Sequence, residues 1–132
     1  NTAMAYDNET VVSYSLGSVN MASGSTQVIK PPKGLSRGRI IDVHAYVTVT
    51  FTQTTTPGYI RLGKSGTAAY YAEVNMGAAA ATTAYNLRDN GTISRQIDLV
   101  ADSVNDVLVT LVAPTGGGPA GTAGITIVIG WF

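Results

Sequence analysis

Residues 39–52 read RIIDVHAYVTVTFT. Ile41, Val43, Ala45, Val47, Val49 and Phe51 fall on one side of an extended chain; Asp42, His44, Tyr46, Thr48, Thr50 and Thr52 fall on the other. Successive side chains of a strand point to opposite faces, so this alternation predicts a long strand with one buried and one wetter face. The residues that follow, TTTPG at 54–58, break the pattern with the turn chemistry of Pro57-Gly58.

Outward from that strand the same texture repeats. YIRLG (59–63) and AYYAEVNMG (69–77) read as strands that end in glycine. VNDVLVTLVAP (104–114) predicts another long strand, with Val107, Val109, Leu111 and Ala113 on its core side and Pro114 as its stop. TGGGPAGTAG (115–124) is expected to be a flexible loop. Weaker strands are expected at TVVSYSL (10–16), STQVI (25–29) and ISRQIDLV (93–100). About eight short strands separated by turn signals make the pattern of an all-β sandwich or barrel. Only GAAAATTAYNLRDNG (77–91) has helical composition, and its length and flanking glycines allow a turn or two. The polar segment 1–10 lacks periodicity and is expected to be an N-terminal arm on a single domain, 11–132.

The chain closes on GITIVIGWF (124–132), which contains no charge. Ile125, Ile127, Ile129 and Trp131 share one face and suit a core, so the segment is expected to be a central strand. Its other face carries Thr126, Val128, Gly130 and Phe132, while the outer side of 104–113 offers Leu108 and Val112 beside Thr110. Solvated antiparallel sheets alternate more cleanly, so Leu108, Val112, Val128 and Phe132 are candidate subunit-interface residues.

Composition narrows the function classes. Eight Lys and Arg balance eight Asp and Glu, which argues against broad electrostatic binding to nucleic acid or an anionic membrane. No apolar run reaches the ~20 residues of a membrane-spanning helix, and the first residues lack the basic end and apolar stretch of a secretory signal. Charged residues make up 12% of the chain, about half the usual share, so much of the surface is either Thr, Ser and Asn or turned toward partners.

No constellation for catalysis stands out. A nucleophilic triad needs an activated Ser or Cys and an oriented His; His44 is the single histidine, Cys is absent, and Asp42 shares the face of His44. One His and no Cys leave too few ligands for a typical zinc site. Glu73 sits mid-strand near tyrosines, where it invites a glycosidase argument, and Asp98, Asp102 and Asp106 lack the dense spacing of a calcium loop. The glycines of TGGGPAG do not form a phosphate cradle, because no GK[ST] ending follows. No catalytic residue, cofactor or metal is therefore expected. KPPKGLSRGR (30–39) places Lys30, Lys33, Arg37 and Arg39 in ten residues without an acid, a candidate loop for docking on an acidic protein surface. It lacks the interleaved aromatics of a nucleic-acid site.

GRIIDVHAYVTVTFTQTTTPGYIRLG, AEVNMG with its alanine-rich sequel, and VLVTLVAPTGGGPAGTAGITIVIGWF together resemble the small jelly-roll or β-barrel decoration (cement) proteins of tailed bacteriophage capsids. The likeness spans roughly 36–132 and is one of texture: Thr- and Ala-rich strands, glycine-rich turns and a hydrophobic last strand. It implies an antiparallel, jelly-roll-like sandwich or barrel and a homotrimer bound to the major capsid protein on the outer surface of a virion. It also implies a mechanical role without catalysis, and no direct contact with nucleic acid or membrane. The alternative is a carbohydrate-binding sandwich of a phage fibre, tail or lectin-like protein, with Tyr59, Tyr70 and Tyr71 as a sugar platform. A small hydrolase using Glu73 or His44 is a third reading.

Overall fold

The structure, a computed structural model, describes residues 9–132. Ten strands occur among them: β1 (Thr10–Asn20), β2 (Ser25–Ile29), β3 (Arg37–Thr52), β4 (Tyr59–Lys64), β5 (Thr67–Asn75), β6 (Ala84–Asn86), β7 (Gly91–Ile93), β8 (Ile97–Asp98), β9 (Val107–Val112) and β10 (Ala120–Trp131). One short helix, α1 (Leu87–Asn90), and a 3-10 turn at Met21–Ser23 complete the set. All strand pairs are antiparallel. One sheet, here the first, runs β1-β10-β3-β6 with β8 also on β3, and the second runs β2-β9-β4-β5-β7.

The chain crosses between sheets at nearly every connection, from β1 to β2, β2 to β3 and β3 to β4, and pauses for the β4–β5 hairpin. This is the wrapping of a jelly-roll, in which two facing sheets share paired Greek keys. Eight strands make that wrap, while the very short β7 and β8 are added ladders. The sheets stay open as a sandwich and do not close into a barrel.

Between them lies one hydrophobic cluster with Trp131, Tyr71, Phe51, Met21 and the isoleucines of β10 at its centre. β10 is central, flanked by β1 and β3, and Ile125, Ile127, Ile129 and Trp131 all face inward as expected. The buried Trp131 indole is satisfied: its Nε1 donates to the Tyr14 hydroxyl at 2.7 Å, which in turn donates to the Lys30 carbonyl at 3.3 Å.

Two sequence expectations change. Strand β3 does not alternate cleanly: its ladder with β10 shifts between Val128↔Asp42 and Ile129↔Ile40, and again between Thr122↔Val49 and Ala123↔Val47. At each bulge an extra residue flips the facing, so Ile40 is buried while Ile41 and Val49 are exposed. The glycine-rich loop is shorter than expected, since Ala120–Gly124 already belongs to β10. As expected, a single helical turn forms within 77–91, at Leu87–Asn90 beyond the alanines; Asn86 caps it by accepting from the Asp89 N–H at 2.8 Å. Residues 1–8 of the expected arm lie outside the described residues; Thr10 pairs with Trp131.

Candidate functional site

The four candidate interface residues do not share one surface. Val128 pairs laterally with Ser13 and Asp42 on the outer face of the first sheet, and Phe132 extends that ladder through two backbone hydrogen bonds with Arg37. Leu108 and Val112 lie on the outer face of the second sheet, beside Val28, Gly63 and Tyr59. The packed core separates the two pairs. Each outer face has its own character. Across β1, β10 and β3 the rows read Ser13–Val128–Asp42 and Ser15–Thr126–His44, so small uncharged residues dominate. Across the second sheet one row reads Thr26–Thr110–Arg61–Glu73–Thr92, with the Arg61 guanidinium donating to Glu73 at 3.1 Å.

The basic candidates are largely engaged within the chain. Arg39 donates through Nε and a terminal nitrogen to both oxygens of Glu9, at 3.0 and 2.8 Å. That bond holds the Glu9 carboxyl below its ordinary range. Gly130 permits the pair, because a Cβ there would collide with the Glu9 carboxyl. Lys30 meets Asp106 at 3.4 Å and Arg37 meets Asp98 at 3.7 Å. Among the described residues only Lys33 of the four makes no ion pair. Arg37 and Arg39 also belong to β3 and not to the loop. Exposed pairs of this kind are weak and exchange readily, so the cations stay accessible to a stronger acidic partner.

The chemistry-bearing residues are dispersed. His44 and Asp42 share the outer face of the first sheet without a hydrogen bond between them among the described residues, while Glu73 lies on the other sheet against Arg61. The aspartates of 98–106 go to separate partners: Asp98 to Arg37, Asp106 to Lys30, and Asp102 to two tyrosines. Among the described residues no group of three or more His, Asp or Glu is gathered as metal ligands.

Tyr59, Tyr70 and Tyr71 are not exposed together as one surface. Tyr71 is 0% exposed, and its hydroxyl donates to Asp102 Oδ2 at 2.6 Å. Burial, reinforced by the bond to Asp102, pushes that hydroxyl well above the ordinary tyrosine range. The Tyr70 ring is covered by Lys64 at 4.2 Å and Arg95 at 4.1 Å, and the Tyr59 ring by Arg61 at 4.3 Å. Cations stacked on these faces occupy the planes a sugar would use. Asp102 thus acts as a latch, tying the segment after β8 to β5 through both Tyr70 and Tyr71. Its partners stand some thirty residues away in sequence, where no local spacing announces them.

No protein-family model matches the chain, and no curated protein or solved structure matches it.

Proposed function

We propose that this chain is a structural protein of a virion, a decoration or cement protein that sits on the outer capsid surface, binds across subunits of the major capsid protein and associates with itself. One observation carries the reading: over the rows Ser15–Thr126–His44, Ser18–Gly124–Tyr46 and Asn20–Thr122–Val49 the outer face of β1, β10 and β3 carries no Asp, Glu, Lys or Arg, while Asp42 and the Arg39–Glu9 pair stand toward its other end. Exposed Val11, Tyr46 and Val49 add apolar area to it. Such a face suits seating on another protein, where burial stabilises by about 25 cal/mol per Å². Repetition over many equivalent sites gives firm attachment without tight individual contacts. The jelly-roll wrap recurs in capsid and lectin domains, which supports a structural or recognition role. The resemblance adds the capsid as partner and implies three-fold symmetry.

Co-sedimentation with purified capsids tests this reading. Saturable binding at a fixed copy number per particle is expected. Thr126→Lys, which places a charge between Ser15 and His44 in that part of the face, should lower capsid affinity at least tenfold; Leu108→Lys on the opposite sheet should leave it unchanged. Protein that stays in the supernatant with every capsid tried, but binds a glycan array, would replace this reading with the carbohydrate-binding one.

A further inference from the structure

From Thr10 to Ile29 the chain runs twenty residues, TVVSYSLGSVNMASGSTQVI, without an Asp, Glu, Lys, Arg or His. The fold puts this whole stretch along one side of the sandwich. β1 is the outermost strand of the first sheet and β2 of the second, joined by the turn at Met21–Ser23. Among the described residues each pairs on one side only, β1 with β10 and β2 with β9. Proteins normally guard open edges with lysine, proline or very short strands. β1 is 11 residues long and has neither lysine nor proline; a single bulge at Ser15/Gly17 interrupts it. Val12, Tyr14, Leu16 and Val19 point inward from β1 yet remain only half-buried, because no strand among the described residues covers this side of the sandwich.

We infer that this side is a docking edge for a second copy of the same chain, with β1 adding antiparallel to β1 across a two-fold axis. Two arguments select that occupant. The opposite side of the sandwich, formed by β6, α1, β7 and β8 and the turn between the last two, carries Arg88, Asp89, Arg95 and Asp98. A head-to-tail contact would press those charges against an uncharged edge, which offers them no new charged partner in return for the water they lose. Two identical uncharged edges meet without that penalty, and a two-fold contact is self-complementary by construction. Area agrees. At about 3.3 Å per residue β1, of 11 residues, is about 35 Å long and β2, of 5 residues, about 17 Å, each sheet contributing about 10 Å of width. That gives roughly 500 Å² per copy, about 1,000 Å² in all, at the lower bound for a specific interface. The contact also covers the half-buried row of Val12, Tyr14 and Leu16 and joins two first sheets into one continuous sheet.

This inference stands apart from the capsid reading and departs from the three-fold symmetry the resemblance implies. Ser13 and Ser18 are exposed on β1, so charges there spare the core. The wild-type chain should sediment as a dimer at micromolar concentration. The Ser13→Lys/Ser18→Lys variant should sediment as a monomer with an unchanged circular dichroism spectrum. Mixing it with the Ser13→Glu/Ser18→Glu variant should restore a heterodimer, since opposite charges then face each other. A wild-type monomer, or a trimer indifferent to both variants, overturns the β1 contact, and capsid binding can survive either result. A dimer that never binds capsids keeps the contact and removes the capsid reading.

Discussion

Tyr71 shows how one residue joins packing to charge. Its ring fills the core while its hydroxyl reaches Asp102, the acceptor it shares with Tyr70. Burial first, and the adjacent carboxylate second, disfavour the phenolate and raise the hydroxyl above the ordinary range. Because the folded value lies above the unfolded one, near 10, the stabilisation from the neutral hydroxyl is whole below about pH 10. It is lost as pH rises from there through the folded value. Tyr71→Phe should therefore cost about 1.5–3 kcal/mol at neutral pH, the range for a hydrogen bond to a charged group. It should also flatten the alkaline decline in stability. Urea unfolding at pH 7 and across the alkaline range reads both. An alkaline decline as steep in the variant as in the wild type would show that Tyr71 does not titrate with unfolding. Some slope remains in either case, because burial also raises Tyr14.

At the scale of a strand, β3 separates what a sequence pattern reveals from what it hides. Ile40 and Ile41 are neighbours of the same type, yet Ile40 is 3% exposed and Ile41 37%. The bulge opposite Ile129 divides them. Ile40→Ala should cost about 2–5 kcal/mol, as for other buried aliphatic truncations, and Ile41→Ala less than about 1 kcal/mol. Denaturant midpoints of the two variants measure the difference; equal losses would place the bulge elsewhere. The inward row Val43, Ala45, Val47 was legible because alternation holds between the two bulges. Ile41 and Val49 were not, since a one-residue insertion into a ladder depends on the partner strand and leaves no mark in local periodicity. The candidate surfaces were legible only as strand faces. Nothing in spacing tells that β9 and β10 belong to different sheets, which is what sends Leu108 and Val128 to opposite sides of the molecule.

For the molecule as a whole, the last strand in sequence is a central strand in space. β10 lies between β1 and β3, with Thr10 opposite Trp131 and Val43 opposite Ile127, so the first sheet cannot close before the chain end is in place. Long-range pairing of this kind makes folding slow and cooperative, because loop-closure entropy is spent before the contacts form. Ile125, Ile127, Ile129 and Trp131 are all fully buried. Each contributes about 1.5–3 kcal/mol through burial, and together they match the roughly 5–15 kcal/mol of net stability in a domain this size. Removal of residues 120–132 should leave a chain without native β structure, not a sandwich with one frayed edge. Its core would lie open, and two strands, β1 and β3, would lack their shared partner. A synthetic peptide of residues 120–132, supplied in trans, should enter that slot and restore the β spectrum and a cooperative melt, as strand complementation does elsewhere. A truncated chain that still unfolds cooperatively, and gains nothing from the peptide, would show that the remaining strands hold the sandwich without β10.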